Sequence, residues 1–319
     1  MSRTKFHNVD GILVGKHFPE ESVREARNYK PCPDDIFIVT YPKCGTTWMQ
    51  HIVYYIFSNG TLPEDPEEFM SRTPFFEFMG LEAIDHLPRP AAIKTHLPFD
   101  KQPFSQEAKY IYVARNPFDC CVSFYHHVRF FPMYNYEDGT FDEFFEDFLQ
   151  GQVDFGDYFD HLLSWYPHKN DHNVLFLTYE DLKKDTKTWI QKVADFLGKE
   201  YGERLRNQPE VTEKILEYTS VEFMQKSVRP SFHRLDQKFE GIPRDQWPRW
   251  AQRIMRDCGD VLQKRSIGRF VRKGHVGNSA SDFTLEQIKR MKEHIAKRTA
   301  GSDVMELWSD LKWAKRCPC

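Results

Sequence analysis

The passage over residues 36–48 constrains this chain more than any other, because a buried-strand pattern, a tight loop and a helix start follow one another without a gap. Ile36, Phe37, Ile38, Val39 and Thr40 form a continuous β-branched and aromatic run, the signature of a strand covered on both faces. Trp48, Ile52, Val53 and Ile56 then recur at three- and four-residue steps. That spacing predicts a helix from Thr46 or Thr47 that ends by Asn59-Gly60. The Tyr41-Pro42-Lys43-Cys44-Gly45 loop between them would aim unpaired backbone N–H groups and a positive helix-dipole end at one point. A phosphate or similar oxyanion fits there, and so, from the loop alone, does an ordinary turn. A Walker loop would carry Gly-Lys-Ser/Thr in that order, whereas here the lysine precedes the glycine.

The same pattern of an apolar run ending in polar groups recurs downstream. Residues 91–96 read as a short strand ending in Lys94-Thr95-His96, and residues 110–114 as another ending in Arg115-Asn116-Pro117. A fourth strand is expected over 174–178. Helices are expected over 117–130, 141–149 and 158–166, with a crossover helix marked by Leu182, Trp189, Ile190, Val193, Phe196 and Leu197. Alternation of this kind predicts an α/β fold, a single domain with a central, mainly parallel sheet flanked by helices. Ligands in such folds sit beyond the carboxyl ends of the strands, so the charges gathered there predict one shared site. Residues 1–35 read as an irregular lead-in, and the Pro- and Phe-rich passage over 62–90 as a broken, pocket-lining segment. Beyond Glu210 the pattern is mostly helical, including Leu285, Ile288, Met291 and Ile295.

Composition narrows the function classes. No linker divides the 319 residues, and 27 phenylalanines are enough to build a core and line a pocket. A net charge of −3 gives no global attraction to nucleic acid or to a membrane surface, so any anion site is local. The apolar stub Ile12-Leu13-Val14 is too short for a signal-peptide core, and secretion is not expected. The 20 residues between Lys43 and Glu64 carry no formal charge, but Gln50, His51, Ser58 and Asn59 break them up, which favours a buried helix over a membrane span. Seven cysteines without C-x-x-C spacing predict reduced thiols in a cytoplasmic protein and no metal site. The sequon Asn59-Gly60-Thr61 carries no weight without secretion.

Each candidate residue has a plain alternative. Trp48 fits the core or a stacking plate for a base. Lys94 and His96, two apart on a strand, would point the same way and put a cation beside a titratable base. Arg115 and Ser123 pair a guanidinium with a hydroxyl, a combination suited to phosphate, although strand-end arginines are commonly solvated. Arg272-Lys273-Gly274 is a second basic stretch, and basic pairs are common. His126 and His127, mid-helix, read as surface and packing residues.

Taken in order, the 41–48 loop, Lys94-Thr95-His96-Leu97-Pro98, residues 112–117 with Asp119 and Ser123, Tyr179-Glu180-Asp181 and Arg272-Lys273-Gly274 resemble the cytosolic sulfotransferases, over about residues 36–277. The resemblance implies transfer of a sulfuryl group from 3′-phosphoadenosine 5′-phosphosulfate (PAPS), with 3′-phosphoadenosine 5′-phosphate (PAP) as product and no metal. It further implies that Lys43, Cys44, Gly45, Thr46 and Thr47 hold the 5′-phosphosulfate, and that Lys43 steadies the leaving oxygen. Trp48 would stack on adenine, with Tyr179, Thr219 and Met224 lining the same base site. Arg115, Ser123, Arg272, Lys273 and Gly274 would grip the 3′-phosphate. His96 would be the general base, with Lys94 as a second cation.

The sequence departs from the family at several points. Val221 stands where a Phe commonly covers the second face of adenine, and Asn278-Ser279-Ala280 replaces Asp-Trp-Lys, which removes the lysine of the family's dimer motif. A monomer or a weak homodimer is therefore expected. Residues 225–269 are longer than the family spacing and read as a helical insertion or lid around Trp247-Pro248-Arg249-Trp250. Phe75, Phe78, Phe130 and Phe131, with Phe76 turned away, predict an aromatic acceptor pocket for a phenol, catechol or monoamine, with a sterol or alcohol as alternative. A P-loop-like kinase or an inactive nucleotide-binding protein are the rival classes. The first lacks the Gly-Lys-Ser/Thr order, and the second would be expected to lose the base that is present here.

Overall fold

The computed structural model describes residues 6–228, 239–259, 261, 264, 268, 270–272, 274, 276–277 and 282–311. A parallel sheet of four strands forms its centre: β3 (Ile36–Thr40), β4 (Ile93–Thr95), β5 (Lys109–Ala114) and β6 (Val174–Thr178), in the spatial order β4-β3-β5-β6. Register is set by pairs such as Ile38 opposite Lys94 and Ile111, and Tyr112 opposite Phe176. Alternation along β3 feeds two cores. Phe37 and Val39 pack on one face with Tyr110 and Tyr112, while Ile36 and Ile38 pack on the other with Ile111 and Val113. Every residue of β3 is buried, as its unbroken apolar run requires.

The helix Thr46–Phe57 covers the second face through Met49, Ile52, Val53 and Ile56, against Ile190, Val193 and Leu197 of the helix Thr186–Leu197. The helix Pro117–Phe130 covers the other face; it has proline in its first turn, and the Asn116 side chain caps it by accepting from the Asp119 N–H at 2.9 Å. Because β4 and β5 lie on opposite sides of β3, the connections leaving β3 and β5 diverge, and a crevice opens beyond their carboxyl ends.

The expected helices over 117–130 and 141–149 and the strands at 36–40 and 174–178 appear with those bounds. The crossover after β6 is two helices, Tyr179–Lys184 and Thr186–Leu197, because Asp185 stops the first and caps the second by accepting from the Thr188 N–H. Residues 62–90 hold three short helices, Pro66–Arg72, Phe76–Met79 and Glu82–Asp85. The lead-in requires a correction. It is a hairpin of β1 (Phe6–Val9) and β2 (Ile12–Gly15) followed by the helix Glu20–Asn28. Asp10-Gly11, both at positive φ, makes the two-residue turn that a tight antiparallel hairpin demands. No helix among the described residues is long and apolar enough to cross a membrane. The five described cysteines, 32, 44, 120, 121 and 258, are unpaired.

Candidate active site

One cavity of about 570 Å³ occupies the crevice and is lined from both sides of the sheet. Its floor is the 41–48 loop. Lys43 and Gly45 hold φ of +71° and +106°, so the chain turns sharply enough to present the start of the helix Thr46–Phe57, whose N-terminus has no side-chain cap. A Cβ on Gly45 would lie 2.9 Å from the Tyr179 ring, and glycine is therefore needed for close approach as well as for φ. Lys43, Gly45, Thr46, Thr47 and Trp48 all face the cavity. Cys44 does not: its thiol is 1% exposed and lies 3.8 Å from the Cys120 thiol beneath the loop. Only its backbone is available to a ligand.

Arg115 and Ser123 also line the cavity. The Arg115 guanidinium donates to the Lys43 carbonyl at 3.1 Å and lies 4.3 Å over the Tyr179 ring, while its Nε is buried with no hydrogen-bond partner. Trp48 meets Tyr179 edge-on at 5.3 Å, and its Nε1 is likewise buried and unpartnered. Buried donors left idle beside a cradle of backbone N–H groups fit an anionic, heteroaromatic ligand. Tyr179, Thr219, Val221, Met224 and Gly274 complete this end of the cavity. Val221 and Gly274 are tightly apposed, since a Cβ on Gly274 would meet the valine methyl at 2.3 Å. Arg272 is half-buried just outside the lining; Lys273 lies outside the described residues.

His96 also lines the cavity. Its Nδ1 is 2.7 Å from the Thr40 carbonyl, and the Thr40 hydroxyl bonds the Thr46 hydroxyl at 2.6 Å, so one β3 residue ties the loop to the imidazole. A carbonyl only accepts, which puts the proton on Nδ1 and leaves the Nε2 lone pair free. Burial, with Lys94 close by, holds the ring well below its usual pKa, and it is neutral at pH 7. Lys94 lies 3.8 Å over the Phe75 ring, and burial lowers its pKa to about 8. Lys43 is lowered to about 7 by burial, with Lys94 and Arg115 adding to the effect. Burial and mutual repulsion thus work against the positive charge of these groups, and a bound anion would offset that penalty.

Phe75, Phe78 and Phe131 line the cavity, whereas Phe76 and Phe130 are buried outside its lining. Phe75 and Phe155 flank the His96 ring at centroid distances of 5.1 and 5.2 Å. Several lining residues carry no distinctive sequence pattern. Phe18 and His17 enter from the supposed lead-in, and Asp154 from a loop. Asp154 is 2% exposed and accepts from the Gly15 N–H at 2.5 Å and from the Tyr134 hydroxyl; burial raises its pKa to about 6. His127, expected as a packing residue, instead faces the cavity with Nδ1 3.3 Å from the Lys43 ammonium. Its position one helical turn after Ser123 is the signal that could have found it. Glu77 lies behind the lining, completely buried. The helix Arg249–Cys258 packs outside the cavity wall, where Trp250 N–H donates to Glu82 and Arg253 pairs with Glu25. Among the described residues no cluster of His, Cys, Asp or Glu has the arrangement of a metal site.

Comparison with known proteins identifies the class. A family profile described as "Sulfotransferase domain" matches residues 33–303. Sulfotransferase 1A1 of Rattus norvegicus is 32% identical over 312 residues, covering 95% of this chain and 97% of the relative. Sulfotransferase 1C2 of Homo sapiens is 33% identical over 310 residues, with 94% of each chain covered. The crystal structure of mouse sulfotransferase SULT7A1 complexed with PAP superposes with a TM-score of 0.70 at 27% identity, covering 98% of this chain and 99% of that one. Retinol dehydratase in complex with androsterone and PAP, at 24% identity, TM-score 0.66 and coverage of 94% and 91%, shares the fold. The chain belongs to the sulfotransferase family. It is an α/β enzyme of that class.

Proposed function

We propose that the protein transfers a sulfuryl group from PAPS to the hydroxyl of a small aromatic acceptor, a phenol or a catechol with or without an amine, and releases PAP. The observation that carries this proposal is the His96 imidazole, neutral and held by Thr40 with Nε2 free, in the same cavity as Lys43 and Lys94. Idle buried donors at Trp48 and Arg115 support a bound nucleotide, and the mouse relative was crystallised with PAP. Lys43, Thr46, Thr47 and the backbone N–H groups of Gly45 and its neighbours hold the phosphosulfate. Trp48, Tyr179, Thr219 and Met224 hold the base, and Arg115, Ser123, Gly274 and the Arg272-Lys273 pair hold the 3′-phosphate.

PAPS supplies the group transferred, and the protein contributes position and charge. His96 takes the acceptor's hydroxyl proton on Nε2. Lys43 neutralises charge on the leaving oxygen, and Lys94 does so at the transferring group. Phe75, Phe78, Phe131 and Phe155 fit a flat ring, and Asp154 is a carboxylate that an acceptor ammonium would need. Free thiols agree with a cytoplasmic location. The chemistry needs one chain, consistent with a monomer or weak homodimer; within the 225–269 insertion the helix Arg249–Cys258 would back the cavity wall, and residues 229–238, on which much of the lid reading falls, lie outside the described residues. Incubating purified protein with radiolabelled PAPS and a panel of phenols, catecholamines and sterols tests the proposal, with labelled phenolic product expected. Absence of transfer to every acceptor together with absence of PAP binding would overturn it. His96→Ala is expected to abolish turnover and keep PAP affinity; normal turnover would make His96 structural.

A further inference from the structure

We infer that His127 is a positioning residue for Lys43, holding its ammonium charged and aimed at the phosphosulfate end of the cavity. This rests on the sulfotransferase assignment above. The two nitrogens, Lys43 Nζ and His127 Nδ1, are 3.3 Å apart. An ammonium can only donate, so Nδ1 must offer its lone pair and the ring proton sits on Nε2. Burial and the neighbouring lysines keep the imidazole well below its usual pKa, so it is a neutral acceptor rather than a competing cation.

The surroundings make such an acceptor necessary. Lys94, Arg115 and Arg272 face Lys43 and oppose its charge, as does burial. An uncharged amine would be a weaker donor and would bring no charge to a leaving oxygen. His127 is held rigidly enough to serve. It sits four residues after Ser123 on the helix Pro117–Phe130, so both look into the cavity. Phe131 and Tyr134 meet its ring edge-on at 4.8 and 5.6 Å. The backbone of Lys43 is fixed separately, by the Arg115 bond to its carbonyl. One contact therefore sets where the lysine starts and the other where its ammonium ends.

The test compares wild type with His127→Phe, which removes the acceptor, and His127→Gln, whose amide oxygen can replace it. PAP affinity is measured by calorimetry from about pH 6 to about pH 9, with steady-state kinetics alongside. In wild type, affinity falls as pH rises and Lys43 loses its proton. In His127→Phe the affinity at about pH 6 stays within about twofold of wild type, and the alkaline fall begins about one pH unit earlier. At neutral pH kcat drops about tenfold or more while the acceptor KM moves less than about threefold, and His127→Gln recovers most of the loss. An unchanged pH profile in His127→Phe, or a glutamine variant as impaired as the phenylalanine one, overturns the inference and leaves His127 a packing residue. Thermal unfolding checks that the variants fold; if His127→Phe does not, His127→Leu takes its place under the same criteria. Wild-type PAP binding and turnover, read in the same series, test the sulfotransferase assignment separately.

Discussion

One carboxylate oxygen of Glu77 accepts from the backbone N–H of His96 and from the Thr95 hydroxyl, both at 2.7 Å. Glu77 belongs to the short helix Phe76–Met79, flanked and carried by the pocket residues Phe75 and Phe78. One buried side chain thus links the acceptor wall to the backbone that aims His96. Glu77→Ala is expected to lower kcat by about tenfold to a hundredfold, because the loss of two buried bonds at about 1–3 kcal/mol each frees the His96 backbone. Glu77→Gln keeps an acceptor oxygen and is expected to retain most activity. Steady-state kinetics with PAP affinity as control distinguishes the two, and equal loss in both variants would assign the effect to charge rather than position.

Burial raises the Glu77 pKa to about 7, opposed by its bonds to Thr95 and His96, and its second oxygen has no hydrogen-bond partner. A carboxyl whose folded pKa lies above the unfolded value holds its proton more tightly when folded. Its effect on stability is then nil below the unfolded value of 4.5 and becomes increasingly unfavourable up to about 7, where the full penalty is reached. Glu77→Gln should therefore be more stable than wild type near pH 8, by at most about 3 kcal/mol, and gain almost nothing at about pH 3.5. Urea unfolding at the two pH values measures this; a gain of the same size at both would show that the carboxyl is not the cause.

Trp48 presents a buried, unpartnered Nε1 and a ring held edge-on by Tyr179. If the ring stacks on the base, Trp48→Ala costs about 1–3 kcal/mol of PAP binding, roughly fivefold to 150-fold. Acceptor KM at saturating PAPS should barely move. Calorimetry with PAP reads the first quantity, and an unchanged affinity would return Trp48 to the core.

Arg115 is fixed by the Lys43 carbonyl and by Tyr179, with Nε left free. Its planar fork suits a phosphate in a way that a lysine does not. Arg115→Lys is expected to reduce the preference for PAP over adenosine 5′-phosphate by about tenfold or more, since a charge-assisted bond is worth about 1.5–3 kcal/mol. Competition binding of the two nucleotides checks it. Equal weakening of both would mean that Arg115 shapes the loop and not the 3′-phosphate site.

Much of the site was legible where a local rule applied. The tight turn at Gly45, the apolar run of β3 and the Asn116-Pro117 helix start each follow from two to five adjacent residues. Lys94 and His96 could be paired because strand geometry alone sends alternate side chains the same way. The hairpin at the start was missed although Asp10-Gly11 signals it, because strands of four residues leave little periodicity to count.

The sequence by itself determined the class: the alternation of strands and helices from residue 36 onward, the tight glycine loop after β3 and the cations at the strand ends, set by periodicity, glycine geometry and a motif order shared with sulfotransferases. Only the tertiary structure decided which distant groups complete the cavity. Glu77 reaches His96 across 19 positions, His127 reaches Lys43 across 84, and Asp154 reaches Gly15 across 139. The physical reason is that these contacts arise where loops from different strands converge over the switch between β3 and β5. No local spacing encodes that convergence; burial against the shared core fixes it.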